Sequence, residues 1–113
     1  MDQSAQSAPV HVKIETFVPP DAAAAVAAAL AQAGLCAEGS YDHVYALLPA
    51  EGHWRPLAGA HPAIGSVGSD TAAREVKLEF RCLLSQAADA AAAIRRAHPY
   101  EVPVINVLPL LEF

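Results

Sequence analysis

Cysteine and basic residues are both scarce in this sequence of 113 residues. The two cysteines, Cys36 and Cys82, lie too far apart for the short spacings of metal or redox motifs. We expect two buried thiols in a reducing cytoplasm, with a disulfide as the minor alternative. Seven Lys and Arg residues, scattered along the chain against twelve Asp and Glu, give a formal charge of -5. Phosphate contacts need clustered basic residues, so the composition argues against a nucleic-acid partner.

The sequence also lacks any hydrophobic run long enough to span a membrane. Residues 1–9 are small and polar, without the basic and apolar segments of a secretory signal, and we expect them to form a disordered N-terminus. Residues 10–113 are expected to form one domain, because this length suits a single core. These absences predict a cytoplasmic protein with no membrane partner.

The chain does contain one pattern that occurs twice: an alternating apolar strand, an Ala-rich helix and a further strand. Asp21 is expected to cap the first helix and Ser85 the second, while Gly34 and Pro99 are expected to end them. The predicted strands are residues 10–18, 41–48, 75–83 and 102–110, and the predicted helices are residues 22–34 and the segment from Ser85 to Pro99.

Two βαβ units in tandem predict an α+β fold, the ferredoxin-like βαββαβ sandwich, with a four-stranded antiparallel sheet and both helices on one face. The first and third strands are expected at the centre, and the last strand, which contains two prolines, at an edge. The uncovered face then carries Phe17 among charged residues such as Lys13 and Glu15. Because no element remains to cover this face, we expect a homo-oligomer in which these faces turn inward.

Between the two halves lies a region dense in Pro and Gly, which predicts a long central loop at residues 49–72. A loop of this length inside a small domain is usually functional or disordered. It contains the only Trp of the sequence. We predict that Trp54, Arg55 and His61 of this loop bind a small ligand together with Tyr41 and Tyr100.

A second candidate site is a divalent metal site formed by Asp42, His43, His98 and Glu101. In the predicted fold, Asp42 and His43 open the second strand, and residues 98–101 (HPYE) precede the last strand at the same end of the sheet. Their His and carboxylate groups are ordinary metal ligands, although their local spacing matches no metal motif. The alternative is that Asp42 caps a turn, His43 packs and His98 binds helix carbonyls.

Catalytic motifs are absent: no Ser lies in a nucleophile elbow, and neither Cys lies in an electropositive setting. This favours a non-catalytic module that binds a small ligand or a divalent metal ion and passes its state to a partner. The alternative from another class is a small metal-dependent hydrolase that uses Asp42, His43, His61 and His98, brought together by folding or between subunits.

Three segments carry a resemblance to a known family: residues 39–43 (GSYDH), residues 54–68 (WRPLAGAHPAIGSVG) and residues 98–101 (HPYE). Together they resemble the PII-like domain inserted in the dimetal family known as NGG-one-interacting-factor-three-like proteins. Residues 98–103 (HPYEVP) also resemble the tail of CutA, a divalent-cation tolerance protein of the same broad fold. His53 stands where the insert usually has another residue, and the resemblance assigns it no role.

The resemblance implies a PII/CutA-like fold that associates as a homotrimer and binds ligands near long loops and subunit clefts. The dimetal ligands of the larger family belong to flanking domains, so neither that metal site nor a hydrolase activity is carried over. The chain resembles a free-standing copy of the insert. A further alternative is therefore an interaction module that docks on a dimetal-family protein.

Overall fold

The computed structural model describes residues 10–113, so the predicted disordered N-terminus, residues 1–9, lies outside the described residues. The elements follow the predicted order of strand, helix, strand, strand, helix and strand. Their bounds are β1 (His11–Val18), α1 (Ala23–Gln32), β2 (Ala46–Trp54), β3 (Thr71–Leu83), α2 (Ala87–Ala97) and β4 (Ile105–Pro109). Within residues 10–113, no helix is long and apolar enough to cross a membrane.

The four strands form one antiparallel sheet in the order β2-β3-β1-β4, which confirms the ferredoxin-like α+β fold. β1 and β3 are central, as the two βαβ units in tandem predicted, and the proline-containing β4 lies at an edge. The register pairs Lys13 with Arg81 and Glu15 with Glu79, so the charged residues of the two central strands lie side by side. This face of the sheet is the one that the helices leave uncovered.

The core lies between the sheet and the two helices. Every second residue of β1 and β3 points into it, including Ile14 and Leu78, which are fully buried. Alanines make up much of the helix surface that faces the sheet, and Val26, Leu30 and Ile94 supply its larger side chains. Both cysteines are free and buried, as expected, and burial raises the pKa of the Cys36 thiol to about 11. The core buries them as small apolar residues.

The two predicted N-caps were wrong. Asp21 and Ser85 each lie within a short 3₁₀ turn that precedes its helix, and neither side chain caps it. At the second turn, the side chain of Gln86 accepts a hydrogen bond from the Leu83 backbone N–H (3.0 Å) instead. The predicted end of α1 is confirmed: Gly34 has φ +79°, and the buried Leu35 donates its N–H back to the last helical turn.

The second strand was also predicted in the wrong place. β2 begins five residues later than expected and continues through Pro49 and Gly52, which had suggested a loop. Pro49 is tolerated because β2 is an edge strand. Pairing with β3 from Ala46↔Glu79 to Trp54↔Thr71 overrides the local turn preferences. The central loop therefore comprises residues 55–70, and the β2–β3 hairpin contributes to an elongated molecule of 56 × 28 × 22 Å.

Candidate functional site

A cleft of about 580 Å³ lies on the face of the sheet away from the helices. Its floor consists of outward-facing residues from three neighbouring strands: Gly52 of β2, Glu75 of β3 and Phe17 of β1. The central loop forms one wall, and the segment before β4, which includes Tyr100, forms the other. A volume of this size is typical of small-molecule sites. The late start of β4, at Ile105 rather than at residue 102, leaves that segment free to line the cleft.

The carboxylate of Glu75 is the buried polar group of this floor. The residue is only 5% exposed, and its Oε2 accepts a hydrogen bond from the Tyr100 hydroxyl (2.8 Å). A Cβ at position 52 would lie 2.0 Å from Glu75 Oε1, so only glycine leaves room for the carboxylate. Within residues 10–113, no Lys, Arg or His side chain forms an ion pair with Glu75.

Tyr100 stands between two other rings. Its ring centroid lies 5.6 Å from that of Trp54 and 4.7 Å from that of His98. Trp54 in turn donates its indole N–H to the carbonyl of Ile64 (3.1 Å), which ties the central loop to the end of β2. Burial raises the pKa of the Tyr100 phenol, and the hydrogen bond to Glu75 and its negative charge raise it further. Tyr100 is therefore a fixed neutral donor.

His98 is a structural residue, because both of its ring nitrogens are already used. Nδ1 accepts a hydrogen bond from the Tyr100 backbone N–H (3.1 Å), so Nε2 carries the hydrogen and donates it to the Phe17 carbonyl (2.7 Å). Burial lowers the pKa of His98, and this effect is opposed by the hydrogen bond to Phe17 and by the charge of Glu75. The imidazole thereby fixes the turn after α2 against β1.

A second contact joins the two walls of the cleft. The carboxylate of Glu101 accepts the backbone N–H of His61, with its two oxygens at 3.1 and 3.3 Å. This contact uses the backbone of His61 and leaves its imidazole exposed. The central loop is thus held to the segment before β4 at the mouth of the cleft.

The cleft brings together three of the five residues predicted to bind a ligand: Trp54, Arg55 and Tyr100. His61 contributes its backbone N–H to the neighbouring contact with Glu101. Tyr41 is 75% exposed and does not line the cleft. Sequence reasoning missed the floor residues named above, because their role depends on pairing between strands and leaves no local signal in the sequence.

The four residues predicted as metal ligands do not form a metal site within one chain. Asp42 and His43 are exposed and hydrogen-bonded to each other (3.0 Å), while both nitrogens of His98 and the carboxylate of Glu101 have the partners described above. Within residues 10–113, no three His, Cys, Asp or Glu side chains are placed to hold a metal ion. Two residues of the His-Pro-Tyr-Glu motif, Tyr100 and Glu101, line the cleft instead.

Next to the cleft, the uncovered face of the sheet carries two lysines that alternate with two glutamates. Lys13 and Lys77 each lie 3.2–3.9 Å from both Glu15 and Glu79. Several apolar residues on the two edge strands are also exposed, among them Leu47 and Leu48 of β2 and Val107 and Leu108 of β4.

No family model matches the chain, but individual proteins do. The GTP cyclohydrolase 1 type 2 homolog of Staphylococcus aureus strain Mu50 is 31% identical over 101 residues, which cover 89% of this chain and 28% of that protein. The chain therefore spans little more than a quarter of the length of this relative.

Two solved structures extend the comparison. A Bacillus cereus protein related to NIF3 matches with a TM-score of 0.79 and 30% identity, over 93% of this chain and 27% of that one. The periplasmic divalent cation tolerance protein CutA from Archaeoglobus fulgidus matches with a TM-score of 0.68 and 18% identity, over 91% of this chain and 86% of that one. The CutA likeness concerns the fold alone, and it extends over nearly the whole of both chains.

Proposed function

Because this chain is a CutA/PII-like domain of the kind found in NIF3-family proteins, we propose that it is a ligand-binding module whose site is the cleft beside β2. The observation that carries the proposal is the cleft itself, whose floor is a buried carboxylate and whose walls are aromatic side chains. Such a combination of apolar surface with a few fixed polar groups is typical of small-molecule sites.

The same groups support a binding role rather than a catalytic one. Proton transfer needs a side chain that can gain and lose a proton near the working pH. The raised pKa of Tyr100 keeps its phenol protonated, and His98 has no free nitrogen for a substrate. Among the residues that the structure describes, no Ser or Cys lines the cleft to serve as a nucleophile.

A regulatory role follows from how the cleft walls are connected. The central loop continues directly from β2, and the other wall continues directly into β4. These are the two edge strands, and the exposed Leu47 of β2 and Val107 of β4, on the helix side of the sheet, are available to a partner. A ligand that draws the walls together would therefore alter both edges, and we propose that this is how the bound state is passed to a partner.

We also propose that the protein is a homotrimer in which the uncovered sheet faces turn inward. The support is the set of paired lysines and glutamates at the centre of that face, flanked by the exposed Leu48 of β2 and Leu108 of β4. Paired charges can be buried between subunits at a lower cost than unpaired ones. Light scattering coupled to gel filtration should give three times the chain mass, and a monomer at all concentrations would refute the assembly.

Trp54 permits a direct test of ligand binding, because it is the only Trp of the sequence and lines the cleft. A fragment library screened by Trp fluorescence should yield compounds that quench the wild type and the Tyr41→Ala variant equally. Tyr100→Ala should abolish the response, with its folding checked by circular dichroism. Both variants truncate a Tyr to Ala, but Tyr100 lies inside the cleft and Tyr41 lies outside it. Compounds that bind Tyr100→Ala as well as the wild type, or the absence of any quenching compound, would refute the proposal.

Binding of a divalent metal ion is a second candidate, supported by the likeness of the fold to that of CutA, a divalent cation tolerance protein. Since the described residues form no metal cluster within one chain, we propose that such an ion would take ligands from more than one subunit, with the exposed His43 among them. Calorimetric titration with zinc or copper should then show binding that weakens in His43→Ala. Equal affinity in both proteins, or no binding to either, would refute this candidate.

A further inference from the structure

The charges that line the cleft are unbalanced toward the negative. Among the described residues, three carboxylates line it, those of Glu51, Glu75 and Glu101, against the guanidinium of Arg55 and the imidazole of His53. The carboxylate of Glu51 lies 2.8 Å from the imidazole of His53, and that of Glu101 binds the backbone N–H described above. Glu75 differs from both: it is buried, and its only hydrogen-bond partner within residues 10–113 is the neutral Tyr100 hydroxyl.

A largely buried carboxylate without a cation is costly, because it has lost most of its water and gained no opposite charge. The Tyr100 hydroxyl offsets part of this cost at Oε2. Arg55, the only Lys or Arg among the described residues of the lining, is exposed and forms no ion pair with Glu75. The described part of the chain therefore supplies no positive charge to this carboxylate, and a ligand can.

The rest of the cleft suits the apolar part of such a ligand. Three aromatic side chains line it, those of Phe17, Trp54 and Tyr100. Aromatic faces attract organic cations as well as apolar groups, most strongly where water is excluded. The same floor disfavours the binding of a phosphate group, because the negative charges of the phosphate would lie against the buried carboxylate of Glu75.

We infer that the cleft binds a small organic cation, an amine or guanidinium on an aromatic or apolar body, with its charged group against Glu75 and its body among the aromatic walls. This inference rests on the proposed function of the cleft as a ligand site. The inference goes beyond that function because it excludes nucleotides and other anions as ligands of the cleft.

The test uses three probes of similar size and shape that differ in charge: phenethylamine, 2-phenylethanol and phenylacetate. Trp54 fluorescence gives their affinities, and the NMR shifts of the Gly52 and Glu75 amides show whether they bind at the floor. We expect the amine to bind at least about tenfold more tightly than the alcohol, and the carboxylate to bind most weakly, because the buried charge discriminates strongly. GTP should cause no shift at the floor.

The key variant is Glu75→Gln, which removes the charge and retains an oxygen for the Tyr100 hydroxyl. It should reduce the affinity for phenethylamine to that for 2-phenylethanol and leave the alcohol unaffected. Asp89→Asn is the matched control, since it removes the same charge from an exposed position of α2 outside the cleft. Its effect on the amine should be at most about threefold, because exposed charges are screened.

The outcomes separate this inference from the function on which it rests. If the alcohol, the carboxylate or GTP binds at the floor as tightly as the amine, the cleft remains a ligand site and the cation preference is refuted. An amine preference that survives Glu75→Gln also refutes the inference, because another group would then be its cause. If no probe of any charge shifts the floor amides at millimolar concentration, the inference and the proposed site both fail.

Discussion

Replacement of Gly52 by alanine tests the floor of the cleft with a single methyl group. The new Cβ would lie 2.0 Å from Oε1 and 2.6 Å from Cδ of Glu75, and 3.0 Å from Cζ3 of Trp54. The first two distances are far below van der Waals contact, so the Glu75 side chain must move. Any such movement loosens its hydrogen bond with the Tyr100 hydroxyl, which at present measures 2.8 Å. Gly52→Ala should therefore disturb the floor and one wall together.

The expected cost is the sum of opposing effects. Inserting a methyl group into a packed site costs about 1–3 kcal/mol. Weakening the hydrogen bond to the buried Glu75 carboxylate adds about 1 kcal/mol or more. Against these stands a gain of about 0.4–1 kcal/mol, because alanine has less freedom than glycine in the unfolded chain. We expect Gly52→Ala to lower the free energy of unfolding by about 2 kcal/mol.

Urea denaturation of four proteins isolates the cause: the wild type, Gly52→Ala, Glu75→Ala and the double variant. If the clash with the carboxylate is responsible, Gly52→Ala should cost little or nothing once Glu75 has been truncated, and the two changes should be strongly non-additive. A loss under about 0.5 kcal/mol in the wild-type background, the usual size of a surface effect, would refute the argument. So would the same loss in both backgrounds.

Three further changes test other parts of the structure. Leu78→Ala, at a fully buried position of β3, should cost about 2–5 kcal/mol in chemical denaturation, and a loss under about 0.5 kcal/mol would mean that the faces of β3 are inverted. Tyr100→Phe keeps the ring but leaves Glu75 without its donor, so it should cost about 1–3 kcal/mol, whereas Tyr41→Phe should be neutral; equal effects would contradict the hydrogen bond. Because the pKa of His98 is lowered in the folded state, the unfolded chain binds its proton more readily, and the free energy of unfolding should decrease as the pH falls below about 6.5, by at most about 1.4 kcal/mol per unit. Denaturation between pH 5 and 7 should show this slope in the wild type and lose it in His98→Gln; an unchanged slope would contradict the buried neutral imidazole.

The fold was predictable because its main signals are local and periodic. The alternation in β1 and β3 placed Ile14 and Leu78 in the core and the charged residues on the opposite face, and the structure has both. The end of α1 was also predictable, because a positive φ after a helix strongly favours a glycine such as Gly34. Each of these features is decided within a few residues of sequence.

The extent of β2 was not predictable in this way. Pro49 and Gly52 are poor strand residues by local preference, and they extend the strand only because β3 continues beside them as far as Thr71. The predicted metal ligands do not come together within one chain for a similar reason. Ligand chemistry can be read from residue type, but whether His98 has a free nitrogen depends on Phe17, which lies 81 residues away in sequence.

The positions where the structure differs from the local sequence pattern are also positions that form the cleft, and this has a physical reason. A strand that carried a side chain at position 52 would fill the space that Glu75 now occupies, and a β4 that began at residue 102 would pull the wall away from the floor. The cleft on this sheet therefore requires the absence of a side chain at position 52 of edge strand β2 and a late start of edge strand β4. The local pattern missed both, because it indicated a loop at Gly52 and a strand at residues 102–104, so a pattern-based prediction is least accurate where a small sheet is shaped to hold a ligand.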